Sequence, residues 1–190
     1  MSYILDPGLT RDLTQARAAL AVHGIVIMRS IENELEPAIM AEVKDSLSSS
    51  PKKLSALEDE ELDRMLTGIR KTAMKSVREL RALYVRLLTR LGTGLFTELV
   101  DELDGIDQLF RWERVARAVE PVNEALEKRG FRGIELAGPG DLSEGFKVEL
   151  ERWRPAFARF KGLAEQAAEQ MRWQDEKASA AAKKKLARKG

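Results

Sequence analysis

The sequence predicts an all-α protein, a helical bundle with a long central helix and a C-terminal coiled-coil-like helix. Two observations predict it. Apolar residues recur every three or four positions along most of the 190 residues, the spacing that lines one face of a helix. Hydrophobic residues at 44% and charged residues at 33% supply both a core and a wetted surface, a balance that a disordered chain lacks. Cysteine is absent, which removes disulfide frameworks, thiolate zinc sites, iron–sulfur clusters and a cysteine nucleophile together, and fits a cytoplasmic location.

Asp6-Pro7 joins a capping side chain to a proline at the first helical position, so a helix is predicted from there to about His23 or Gly24. A second helix follows from Ile25, Met28, Ile31, Leu35, Ile39, Val43 and Leu47, with Pro37 predicted to kink or divide it. Gly24 to Met28 also reads as a short strand, because β-branched residues cluster there. Ala18 to Met28 is 11 residues without a charge. That is too short to span a bilayer, which needs roughly 20, and it reads as helix buried on all sides or crossing the centre of the core. Met1 to Leu13 lacks the cationic start and apolar run of a signal peptide.

Ser48 to Lys53 is predicted as a loop. Ser55 with Glu58 forms a capping box, and Glu58, Asp59, Glu60, Glu61 and Asp63 suit the positive end of a helix. The apolar positions from Leu62 to Leu91 then sustain a helix of about 35 residues, roughly 50 Å long, closing at Gly92-Thr93-Gly94. This helix is the predicted spine. Leu95 to Asp104 and Ile106 to Glu120 read as helical pieces separated by Gly105, and Pro121 opens another that ends at Gly130. From Gly130 to Gly140, four glycines and a proline interrupt Phe131, Ile134 and Leu136. That segment is a loop or at most a fragment of a β-pair.

Asp141 with Glu144 is a second capping box, opening a helix toward Trp153. Pro155 is predicted to break or restart it. Beyond lies a heptad seam of Phe157, Phe160, Ala164, Ala167, Met171, Gln174, Ala178 and Ala181, the pattern of a coiled-coil arm that weakens where only alanine and glutamine remain. The predicted division is a helical core over 1–140 and a C-terminal arm with a basic tail over 141–190. Ala178 to Lys189 has almost nothing large to bury, so it frays or is ordered by a partner.

The net charge is +1, but its distribution is uneven. Residues 70–90 hold seven bases against the single acid Glu79, and residues 177–190 hold six bases and no acid. At about 100° per residue the bases of 70–90 share one side of their helix, opposite the leucine-rich side. This face either solvates and pairs with the chain's own acids, or recognises phosphates or an acidic partner. The candidate contacts are Arg70, Lys71, Lys75, Arg78 and Arg81, with Lys183, Lys184 and Lys185 of the tail. Tyr84 falls in phase with the packing side, so stacking on nucleic-acid bases has no support.

Catalytic chemistry finds no constellation. His23 is the only histidine and reads as a hydrogen-bonded core residue; Leu20 precedes it where a di-iron bundle would need glutamate. Gly140 to Lys147 lacks the adjacent glycine and lysine and the following hydroxyl of a phosphate-binding loop. Glu98, Asp101 and Glu102, with Asp104 and Asp107 beyond, read as a solvated face rather than a magnesium site. No cofactor and no metal are expected. Trp173 sits just outside the heptad seam and is the aromatic expected to stay exposed.

These readings predict a non-enzymatic helical interaction or assembly protein. Its C-terminal helix would serve self-association or docking to another helix through Phe157, Phe160, Met171 and Trp173. The alternative is a subunit of a nucleic-acid assembly contacting phosphates through the basic face and tail. A protein partner is expected in the first case, nucleic acid in the second, and membrane insertion in neither. An enzyme built on carboxylates or arginine ranks third.

Overall fold

The computed structural model describes residues 3–94 and 96–187, without the side chains of 182 and 184–187. It is an all-α bundle with no strand among the described residues. Three long helices dominate it: α1 (Pro7–Ser48), α3 (Asp59–Thr93) and α7 (Glu144–Ala187). The short α2 (Pro51–Leu54) links α1 to α3. α4 (Phe96–Leu109), α5 (Trp112–Ala116), a 3₁₀ turn (Arg117–Val119) and α6 (Glu120–Glu127) connect α3 to α7.

Helix α1, rather than α3, is the spine. Both α3 and α7 run antiparallel to it. Arg17 reaches Gly92 O at 3.1 Å while Glu36 holds Arg70 at 2.8 Å; Gln174 and Gln170 bind the backbone of Ile4 and Asp6 while Glu34 meets Ser143 at 2.7 Å. α4 packs on α7, and the α5 to α6 segment packs on α3. Buried positions 9, 13, 16, 20, 24, 27, 31, 35, 39, 43 and 47 form one unbroken stripe along α1, which explains why it needs neighbours on two sides.

That stripe overrides the local breakers. Gly24, expected to end a helix, lies inside α1. A Cβ there would stand 2.3 Å from Leu88 Cδ2 and 3.2 Å from the Trp153 ring, so this glycine lets three helices approach one another. The strand reading of Gly24 to Met28 is therefore wrong. Pro37 also lies within α1, and Pro155 within α7. Both prolines are exposed, so the carbonyls of Asn33 and Glu151 that lose an N–H partner face water, where the loss is tolerated. Gly105 likewise sits inside α4, and the break falls later, at Phe110 and Arg111.

Both capping boxes are replaced by other arrangements. Ser55 closes α2 and its hydroxyl donates to Lys52 O, while α3 begins at Asp59 without a side-chain cap. At α7 the cap is Ser143, whose Oγ accepts from Phe146 N at 3.0 Å. Asp141 instead accepts from the N–H groups of Ala137 and Gly138. The loop before α7 is extended and carries Phe131, Ile134 and Leu136 into the core. Gly130 turns the chain at φ 74°, a conformation glycine adopts without cost. Asn123 on α6 then pairs with both backbone groups of Ile134, at 2.7 and 3.0 Å, standing in for the strand the loop lacks.

The first part of the heptad seam belongs to this core and forms no free arm. Phe157, Phe160, Ala164, Ala167 and Met171 are buried within the chain. From Glu176 onward the situation reverses, and residues 176–181 and 183 of α7 are exposed on every side. The uncharged run Ala18 to Met28 is not enclosed either. Val22 is 60% exposed, and Ile25 and Val26 project outward with it.

Candidate functional site

Two arginine-rich regions of the surface merge on α3. On its outward side the seven bases of residues 70–90 divide into two sets. Arg70 pairs with Glu36 at 2.8 Å and Arg81 with Glu32 at 3.1 Å, both across to α1. Arg90 forks onto Glu102 of α4 at 2.7 and 3.1 Å. This pair holds the Glu102 carboxyl below the ordinary range, through its hydrogen bond to Arg90 first, and raises the guanidinium pKa. Lys75 has only Glu79 within its own helix, at 3.8 Å. Lys71, Arg78 and Arg86 are exposed and form no ion pair among the described residues.

The acidic residues that cover part of this face come from α1, with α4 reaching only Arg90. Glu32 and Glu36 stand four apart on α1 and meet α3 because the helices are antiparallel. Between them and Met74, Arg78 and Arg81 runs a groove of about 420 Å³. The Arg81–Glu32 pair is exposed on both sides and contributes little, about 0–1 kcal/mol, so Arg81 remains available to a stronger anion, whereas Glu36 is only 17% exposed and holds Arg70 from a half-buried position.

Arg114 of α5 and Arg117 of the adjoining 3₁₀ turn extend the cationic surface. Both are exposed without an ion pair among the described residues. With Arg86 of α3 they line a second groove, of about 320 Å³. Their segment is held in place from within. Val115 and Val119 are buried, and Tyr84 on α3 is fully buried with its hydroxyl donating to Leu109 O at 2.7 Å. Burial raises the Tyr84 phenol far above its ordinary pKa, so it stays a neutral donor. Arg114 and Arg117 were not singled out from the sequence, although the three-residue spacing of Arg111, Arg114 and Arg117 is a visible signal. Arg111 itself is held by Asp107 at 3.0 Å.

The other candidates scatter. Lys183 is exposed at the far end of α7, and the side chains of Lys184 and Lys185 lie outside the described residues. Phe157, Phe160 and Met171, expected at an interface, are 4%, 0% and 8% exposed and are already partnered inside the chain. Trp173 is 56% exposed, with Lys177 Nζ over its ring at 3.6 Å.

His23 is half-buried and bonded through Nδ1 to Glu149 at 2.8 Å, with Arg152 at 3.6 Å from the same carboxylate. This ties α1 to α7, and Glu149 was missed because nothing near it in the sequence marks it as a partner. The acids of α4 are divided among three cations and do not converge: Glu98 and Glu102 meet Arg90, Asp104 meets Lys161, Asp107 meets Arg111, and Asp101 forms no ion pair among the described residues. Among the described residues no group of three or more His, Asp or Glu is placed to hold a metal ion. No helix among them is long and apolar enough to cross a membrane.

Comparison of the chain with family models, with curated proteins and with solved structures returns no match.

Proposed function

We propose that this protein is a non-catalytic helical binding protein that engages the phosphate backbone of a nucleic acid through the outer face of α3. The observation that carries this reading is the set of exposed, unpaired cations Lys71, Arg78 and Arg86 on one side of a rigid helix. They stand seven and eight residues apart, roughly 11 Å and 12 Å along the helix axis. Arg70, Lys75 and Arg81 add charge beside them. Phosphate contacts of this kind depend on charge and spacing rather than on base sequence. The absence of an exposed aromatic among the bases favours duplex over unpaired strands.

Fluorescence anisotropy with a 20-base-pair duplex tests it. The affinity is expected to fall with salt on a log–log slope of about −0.9 for each phosphate neutralised. Replacing Lys71 and Arg78 together by glutamate is expected to make that slope shallower by about 2. Binding that ignores salt, or that survives the double replacement unchanged, would refute the reading.

A second reading rests on the free end of α7. Residues 176–181 and 183 are exposed all round the helix, and Trp173 lies at its base. A partner helix seated there would bury the alanines that now face water. In that reading a chain ending at Asp175 stays folded but sediments as a smaller species than the full chain. Equal sedimentation behaviour per unit mass would eliminate self-association through this end.

A further inference from the structure

We infer that the groove between α3 and the α5 to 3₁₀ segment is a binding site for a small phosphate monoester carried on an apolar body. This goes beyond the polyanion reading, because the ligand is a single compact dianion and the site is concave rather than a helix face. Three guanidinium groups, Arg86, Arg114 and Arg117, line the same groove of about 320 Å³. That volume lies within the range of small-molecule sites.

Two carboxylates, Glu79 and Glu120, line the groove as well. Neither pairs with any of the three arginines: Glu79 is directed to Lys75 at 3.8 Å, and Glu120 forms no ion pair among the described residues. Carboxylates on neighbouring helices hold Arg70, Arg81 and Arg90, whereas Arg78, beside Glu32 and Glu36 in its own groove, forms no ion pair among the described residues. The groove at Arg114 and Arg117 brings three such open arginines together, where the groove beside Glu32 and Glu36 holds one. Guanidinium groups bind phosphate oxygens through paired N–H donors, and a doubly charged monoester is the anion best matched to several of them.

The remainder of the lining sets the other half of the ligand. Leu80 and Leu83 of α3 and Pro121 of α6 line the groove beside the cations, and Ser76, buried at its edge, donates its hydroxyl to Thr72 O within α3 at 3.4 Å. Inorganic phosphate would use only the arginines. An aryl or alkyl phosphate would use the apolar wall too.

Phenyl phosphate and inorganic phosphate, titrated into the full-length ¹⁵N-labelled protein, distinguish these cases. Phenyl phosphate is expected to give saturable shifts centred on residues 76–86 and 114–121, and to bind about tenfold more tightly than phosphate through the apolar wall. Arg114→Gln and Arg117→Gln are each expected to weaken it about tenfold, and Arg86→Gln, on the opposite wall, to do the same. The three arginines are exposed, so unchanged far-UV circular dichroism is expected for every variant. Lys71→Glu with Arg78→Glu is expected to leave phenyl phosphate binding within twofold while weakening duplex binding, which separates this site from the polyanion face. Absence of saturable shifts, shifts that persist in all three arginine variants, or an equal loss on replacing Lys71 and Arg78 would overturn the proposal.

Discussion

A chain that ends after Pro155 is expected to lose cooperative folding, whereas one that ends after Asp175 keeps it. The second half of α7 lies antiparallel to the N-terminal half of α1, and Gln170 and Gln174 bind the backbone of Asp6 and Ile4. Removing residues 156–190 takes away Phe157, Phe160 and Met171, all buried, with Ala164 and Ala167 between them. Each large side chain contributes about 1.5–3 kcal/mol by burial, so the three together contribute roughly 5–9 kcal/mol. Domain stability is only about 5–15 kcal/mol. The loss also uncovers Leu9, Leu13, Ala16 and Leu20 on α1, and strips the Phe160 ring from beside the Arg17 guanidinium. Thermal melting followed by circular dichroism reads the result. A sharp transition in the chain ending at Pro155 would show that the heptad seam is dispensable to the bundle.

Trp153→Ala is the single substitution expected to cost most, about 3–5 kcal/mol. Trp153 is 1% exposed and stacks on Phe110 with ring centroids 3.7 Å apart, at the point where Gly24 admits it against α1. Phe110 in turn meets Tyr84 edge-on at 4.5 Å. One side chain thus joins α1, α7, the end of α4 and, through Phe110, α3. A cavity here cannot close without moving long helices, so relaxation recovers little of the loss. Trp153→Phe is expected to cost much less. The indole Nε1 is buried without a hydrogen-bond partner among the described residues, so the smaller ring also removes an unsatisfied donor. Urea denaturation of the two variants gives the comparison, and equal losses would show that the ring volume phenylalanine retains recovers nothing.

Much of the fold is legible in the sequence wherever the signal is repeated many times. The apolar stripe of α1 recurs over 42 residues, and no alternative conformation could hide so many side chains at that spacing. The positions of Tyr84 on the packing side of α3 and of Trp173 outside the seam follow from helical phase alone. Single-residue signals fared worse. Gly24, Pro37, Gly105 and Pro155 each carry a local penalty of about 1 to 3 kcal/mol against helix. Neighbouring helices and solvent absorbed it: Leu88 and Trp153 fill the space at Gly24, and water serves the carbonyls at the prolines. The capping boxes were misplaced for a related reason, since Ser143 and Asp141 both offer side-chain oxygens and only the path of the incoming loop decides between them.

The candidate site divides along the same line. Its α3 cations are consecutive in one helix, so their clustering is visible without a structure. Which of them are open is not, because that depends on Glu36 and Glu32, 34 and 49 residues away from Arg70 and Arg81 and brought across only by the antiparallel packing of α1 and α3. The Arg86, Arg114 and Arg117 groove is wholly tertiary, as its two walls meet only when Val115 and Val119 enter the core. Periodicity alone determined that this chain is helical and which faces pack, because helical geometry converts spacing into a face without reference to any other element. Partnership among those faces, including the burial of the heptad seam and the freedom of three arginines, was decided by tertiary structure, because an apolar stripe specifies that it must be covered but not by what.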